Sequence, residues 1–263
     1  MRHVLCSGLA VAALAVAPFA DVWDVQTAND NSNATENELV HGSDQLHDLA
    51  ALPGPVADQD WYRVGQDPFS SYEVTIDGVS GDVGPIAGLL QRVDSLGAPL
   101  QSSVDVTTGL GNAQALRFIN NTAGFVTDQF VRVANAACGT VCGADDAYRI
   151  RMRETTIRVA RFNNSGTQVT VLLIQNATDQ PIEVRAHFWT AAGGQVATFS
   201  LPKPGAPLAP RALHVLNTST LAAGVAGHIT IVHDGPHGAI NVKSVALEPA
   251  TGFSFDTPGV YRP

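Results

Sequence analysis

The residues that interrupt regular structure constrain this 263-residue chain most, because they punctuate its second half between short apolar runs, as strands joined by turns require. Asn163-Asn-Ser-Gly166, Asp179-Gln-Pro181, Ala192-Gly-Gly194, Lys203-Pro-Gly205 and Asp234-Gly-Pro236 all combine residues that accept turn geometry or cannot continue a strand ladder. The segments between them predict strands at Ile157 to Phe162, Gln168 to Gln175, Ile182 to Trp189, Gln195 to Phe199, Ala212 to Leu216, His228 to Val232 and Ala239 to Leu247. Seven short strands spaced by turns predict a sandwich.

The first half reads the same way. Trp61 to Val64 and the alternating Ser71 to Ile76 predict strands, with Asp77-Gly78 as a turn. Further strands are expected at Ile86 to Val93, Ala113 to Asn120, Asp128 to Val133 and Ala147 to Met152, while Leu46 to Leu52 fits either a strand or a turn of helix. Hydrophobic residues are 45% of the chain and charged residues only 15%, with 24 Gly and 15 Pro, a balance suited to strands and turns. The expected fold class is all-β: two tandem antiparallel β-sandwich domains, residues 21–155 and 156–263, after an N-terminal signal helix at residues 1–20. Glu154-Thr-Thr156 at the boundary holds no Gly or Pro linker, so the two units are expected to abut.

Met1-Arg2-His3 followed by the apolar Val4 to Ala17 has the layout of a signal peptide, with Cys6 too early to serve as a lipoprotein cysteine. Ala15-Val-Ala17 offers one cleavage site; cutting after Ala20 gives a better mature start and is favoured. The chain is therefore expected to be secreted, extracellular or periplasmic, with no membrane attachment after cleavage. A net charge of −9 with no basic stripe argues against nucleic acid as a partner. The arginines of Arg149-Ile-Arg-Met-Arg153 alternate with apolar residues and belong on the solvated face of a strand. Nothing in the sequence indicates an oligomeric state.

Cys138 and Cys142 would remain after cleavage. In an oxidising compartment so close a pair reads as a disulfide worth about 2 kcal/mol by chain entropy. The alternatives, a redox pair or half a zinc site, call for C-x-x-C spacing or for further ligands nearby.

Residues 29 to 153 resemble the bacterial pre-peptidase C-terminal domain, a β-sandwich appended to many secreted hydrolases. The resemblance rests on Asp58-Gln-Asp-Trp-Tyr-Arg-Val64, on Ser71-Tyr-Glu-Val-Thr-Ile76, and on Phe130-Val-Arg-Val133 with Tyr148-Arg-Ile-Arg151. It implies a calcium site at the matching Asn29, Asp30, Asp58 and Asp60, whose oxygens suit that ion. Gln26-Thr-Ala28 lacks the carboxylates expected before them, and Asp58 and Asp60 would otherwise cap a strand and a turn. The second half is similar to immunoglobulin-like modules of secreted bacterial proteins and carries no implied activity.

His233-Asp-Gly-Pro-His237 sets two histidines around a turn, where they either converge on a metal or serve as plain turn residues. No nucleophile elbow, metalloprotease helix or phosphate-binding glycine loop is present. Trp61, Tyr62, Tyr72, Phe188 and Trp189 invite a carbohydrate-binding reading; in the adjacent pair Phe188-Trp189 one ring belongs in the core and the other outside. The leading expectation is a secreted, non-catalytic binding or structural accessory protein for polysaccharide, matrix or protein partners, needing no cofactor beyond calcium. A secreted hydrolase with an unrecognised site is the alternative.

Overall fold

A computed structural model describes residue 23 and residues 30–50, 58–80, 90–106, 113–134 and 142–262. Residues 1–20, where a signal peptide is expected, lie outside the described residues, as do Asn29 and Cys138. The chain is all-β, as expected. Among the described residues the one helical element is a 3-10 turn at Thr218–Thr220, and no helix is long and apolar enough to cross a membrane.

Nine strands precede residue 155: β1 (Asp44–Asp48), β2 (Gln59–Arg63), β3 (Ser70–Gly78), β4 (Leu90–Asp94), β5 (Pro99–Ser102), β6 (Val104–Asp105), β7 (Ala113–Asn120), β8 (Gln129–Ala134) and β9 (Ala147–Glu154). They form two antiparallel sheets, in the orders β1-β9-β3-β7-β6 and β2-β8-β4-β5. Period-two alternation sends Tyr148, Ile150 and Met152 of β9 inward, where they join Tyr62, Val74, Ile76, Leu90, Leu116 and Val131 in one hydrophobic cluster. The arginines of β9 point the other way. Arg149 and Arg151 lie against Asp44, at 3.1 and 3.3 Å, on the partly exposed face.

Eight strands follow: β10 (Ile157–Asn163), β11 (Val169–Asn176), β12 (Val184–Thr190), β13 (Gln195–Leu201), β14 (Leu213–Asn217), β15 (Ala226–His233), β16 (Ile240–Glu248) and β17 (Phe253–Tyr261). One continuous sheet links them in the order β13-β12-β15-β10-β17-β16-β11-β14. Val159, Phe162, Leu172, Ile174, Phe188, Ile229 and Ile231 form its core. Seven of these strands were expected. The eighth, β17, lies where Pro258 and Gly259 read as breakers.

Both residues mark a crossing. β17 pairs with β16 up to Pro258 and with β10 from Gly259 onward, and a strand that changes partner tolerates proline's missing donor. A Cβ on Gly259 would come within 2.8 Å of both Ile157 and Val242, so only glycine fits there.

The segment joining the two cores is buried. Thr155 N–H donates to the Ser71 carbonyl (2.7 Å), Ser71 N–H to Thr156 Oγ1 (2.9 Å), and His233 N–H to Ser71 Oγ (3.3 Å). Arg262 bonds back to the Thr156 carbonyl, and its guanidinium meets Glu154 and, at 3.2 Å, Asp67.

Candidate functional site

Residues 30 to 39 run beside β2. Trp61 N–H donates to the Asp30 carbonyl (2.6 Å), Arg63 N–H to the Asn37 carbonyl (2.8 Å), and Leu39 N–H to the Arg63 carbonyl (3.0 Å). This pairing places the Asp30 side chain under the sandwich. Asp60 alternates with Trp61 along β2 and so points inward with Tyr62, while His47 of β1 sits opposite Tyr148 of β9. The ligand atoms of Asp30, His47 and Asp60 lie within 4.8 Å of one another, and all three residues are buried. Tyr148 donates its hydroxyl hydrogen to Asp60, and His47 Nδ1 stands 4.0 Å from Asp30 Oδ2.

Of the four residues expected to bind calcium, Asp30 and Asp60 are thus brought together. Asp58 is buried but outside the converging group, and its Oδ1 accepts the Gln59 N–H at 2.9 Å, a strand-capping role. Asn29 lies outside the described residues. Two further side chains border the group without having been singled out in the sequence. One is His47. The other is Asn37, whose Nδ2 is 3.5 Å from Asp30 and whose buried Oδ1 accepts no hydrogen bond among the described residues. Buried carboxylates with an orphaned amide oxygen beside them fit a divalent cation; the imidazole departs from calcium's preference for oxygen.

Cys142 is buried at the edge of the first core. Its expected partner, Cys138, lies outside the described residues.

His233 and His237 do not share a cleft. His233 is fully buried, and its Nδ1 accepts the Gly235 N–H at 3.2 Å, so the turn itself uses the ring. Burial holds its pKa down at about 4. His237 packs its ring 4.4 Å from that of Tyr261 and gives its backbone N–H to Glu73. His233 ends β15 and His237 lies in the turn after it, both outside the one metal-suited group found among the described residues.

The five aromatic residues separate cleanly. Tyr62, Tyr72 and Phe188 are core, and Trp61 packs on Phe130 on the reverse face of β2. Trp189 alone is left half-buried, outside, as alternation along β12 dictates. There it lines a cleft of about 840 Å³ between the two halves of the chain.

The floor of the cleft is the outer face of the eight-stranded sheet, bearing Arg158, Trp189, His228 and Thr230; Phe69 and Arg262 stand on its walls. Trp189 Nε1–H donates to Thr230 Oγ1 at 3.1 Å, which fixes the indole. Phe69 touches it edge-on, with centroids 4.9 Å apart, and its φ of +51° holds that ring across the junction. Burial and the neighbouring Arg158 charge lower the pKa of His228, and burial brings that of His187 behind Phe69 down to about 4. Both rings are neutral at pH 7. The charge of Arg262 is met by Glu154 and Asp67, whereas the exposed Arg158 makes no ion pair among the described residues. A cleft of this size, apolar with few polar groups, has the dimensions of a small-ligand or oligosaccharide site. Its residues come from positions 68 to 262, and no local motif announces them.

Set against known proteins, the chain matches no family model and no curated protein.

Proposed function

We propose that this chain is an exported, non-catalytic binding protein that holds an extracellular ligand in the cleft containing Trp189. In this reading residues 1–20 are a signal peptide, and residues 21–155 and 156–263 are two sandwich domains. The first would be of the pre-peptidase C-terminal type and the second immunoglobulin-like, and Cys138 and Cys142 would form a disulfide. The observation that carries the proposal is the fixed indole of Trp189, presented on a rigid sheet inside an 840 Å³ cleft. Support for a non-catalytic role comes from the cleft lining, where among the described residues His228 has no carboxylate, serine or cysteine beside it.

Calcium belongs to the same proposal. Asp30 and Asp60 would hold it, with the Asn37 amide oxygen and Asn29 as further oxygens and Asp58 left to cap β2, and its contribution would be structural, pinning residues 30–37 against β2.

The test is a glycan and matrix-protein array probed with the full chain and with Trp189→Ala, with and without calcium. Binding that is lost in Trp189→Ala supports the reading; turnover of a substrate with no binding to any array member overturns it.

A further inference from the structure

The chemistry of the cleft narrows its ligand, an inference that rests on the proposed binding role of Trp189. The strands of the floor, β12, β15 and β10, are all interior to the sheet, with β13 on one side and β17 on the other. Their backbone groups are used in the ladder, as the pairings of Trp189 with His228 and of Arg158 with Thr230 show. A peptide therefore cannot dock by adding a strand, which is the common way for a sheet to take one up. What the floor does present is side chains.

Trp189 has its one polar atom committed to Thr230, so the indole offers only ring surface. Such a surface binds the C–H face of a pyranose ring. His228 lies nearly parallel to it, 12° between planes and 6.1 Å between centroids, and stacks beside the indole on the same floor. Thr230 pairs across the strands with Arg158, so the guanidinium sits one strand beyond the residue that anchors the indole. It is exposed and has no carboxylate partner among the described residues, in a chain that carries nine more acidic than basic charges. A cation left unanswered in an acidic protein, beside an aromatic stacking strip, is complementary to an anionic sugar. Guanidinium geometry favours a carboxylate, which it can grip with two parallel hydrogen bonds.

We propose that the cleft binds an acidic polysaccharide of the uronate class, with a pyranose ring on Trp189 and a sugar carboxylate on Arg158. Arg262 is a wall of the site and not a ligand contact, since Glu154 and Asp67 already hold it.

The experiment is calorimetric titration of the full chain with oligogalacturonate, with its methyl ester, with a neutral cello-oligosaccharide of equal length, and with oligoglutamate. The expected result is binding of oligogalacturonate only. Affinity should fall at least tenfold in Arg158→Gln and at least tenfold in Trp189→Ala, and should weaken as salt rises. Trp189→Phe, which keeps packing on Phe69, should retain part of the affinity and so separates ligand loss from misfolding. The inference is overturned if the methyl ester or the neutral oligosaccharide binds equally well, or if Arg158→Gln leaves affinity unchanged; Trp189-dependent binding would then still uphold the broader function. Equal binding of oligoglutamate would overturn it in favour of a protein ligand. Absence of any binding would overturn the inference alone, and the broader function would then be decided by the array.

Discussion

The hydroxyl of Tyr62 lies 2.6 Å from that of Tyr148, 86 positions away, and the two form a chain that ends on a carboxylate. Tyr148 gives its hydrogen to Asp60, which leaves Tyr62 as donor to Tyr148. Burial first, and the Asp60 charge second, hold the Tyr148 pKa well above the usual phenol range, so it stays a donor at any ordinary pH. Tyr148→Phe removes a hydrogen bond to a buried carboxylate and should cost about 1–3 kcal/mol, and Tyr62→Phe about 1 kcal/mol. Urea denaturation of the two variants would measure both; the reverse order would count against this hydrogen-bond chain.

Calcium should stabilise the protein. At a concentration one hundred times its dissociation constant, a ligand specific to the folded state adds about 2.7 kcal/mol, which for a chain of this size is several degrees in Tm. Asp60→Asn should abolish that shift. A response to zinc with none to calcium, lost in His47→Gln, would identify a nitrogen-ligated ion instead.

Phe69 takes a φ that a residue with a Cβ adopts at a cost, and it does so to reach His187 and Trp189. Phe69→Ala loses the packing and keeps the strain, whereas Phe69→Gly loses the packing and relieves it. The glycine variant should be the more stable of the two by about 1 kcal/mol, opposite to the usual order of these residues. Thermal unfolding decides it.

Acid should destabilise the fold before most carboxylates are protonated. His187 and His233 are buried, with pKa values held to about 4, below the 6.5 of an unfolded chain. The folded form keeps them neutral while the unfolded form takes up protons, so their contribution is complete above pH 6.5 and is lost as pH falls toward 4. At 1.36 kcal/mol per tenfold in proton affinity, each is worth up to about 3 kcal/mol across that window. Denaturation midpoints between pH 7 and 4.5 should fall steeply in the parent. They should fall less steeply in His233→Asn, whose amide oxygen can still accept the Gly235 N–H.

Much of the architecture was legible in the residues. Wherever apolar and polar positions alternated, as in β3, β9 and β11, strand and facing were both readable, because one face had to be buried. β5 and β6 escaped notice because they are short and largely exposed, so no alternation marks them. β17 was hidden by Pro258 and Gly259, whose meaning depends on the strands to either side. Asp30 and Asp60 could be paired only through a family resemblance, and His47 not at all, since its role comes from standing opposite Tyr148. The cleft was the least legible feature. Alternation predicted that one of Phe188 and Trp189 faces outward, but the arrival of Phe69 and Arg262 beside it is a matter of tertiary assembly.

The crossing of β17 between β16 and β10 also sets an order in time. A chain made from its amino terminus presents residues 157 to 248 before the strand that joins their two open edges exists. Until residues 253 to 261 emerge, β10 and β16 each offer an unsatisfied row of backbone donors and acceptors to any neighbouring chain. A chain cut before that strand would leave both edges open together and should associate where the full chain does not.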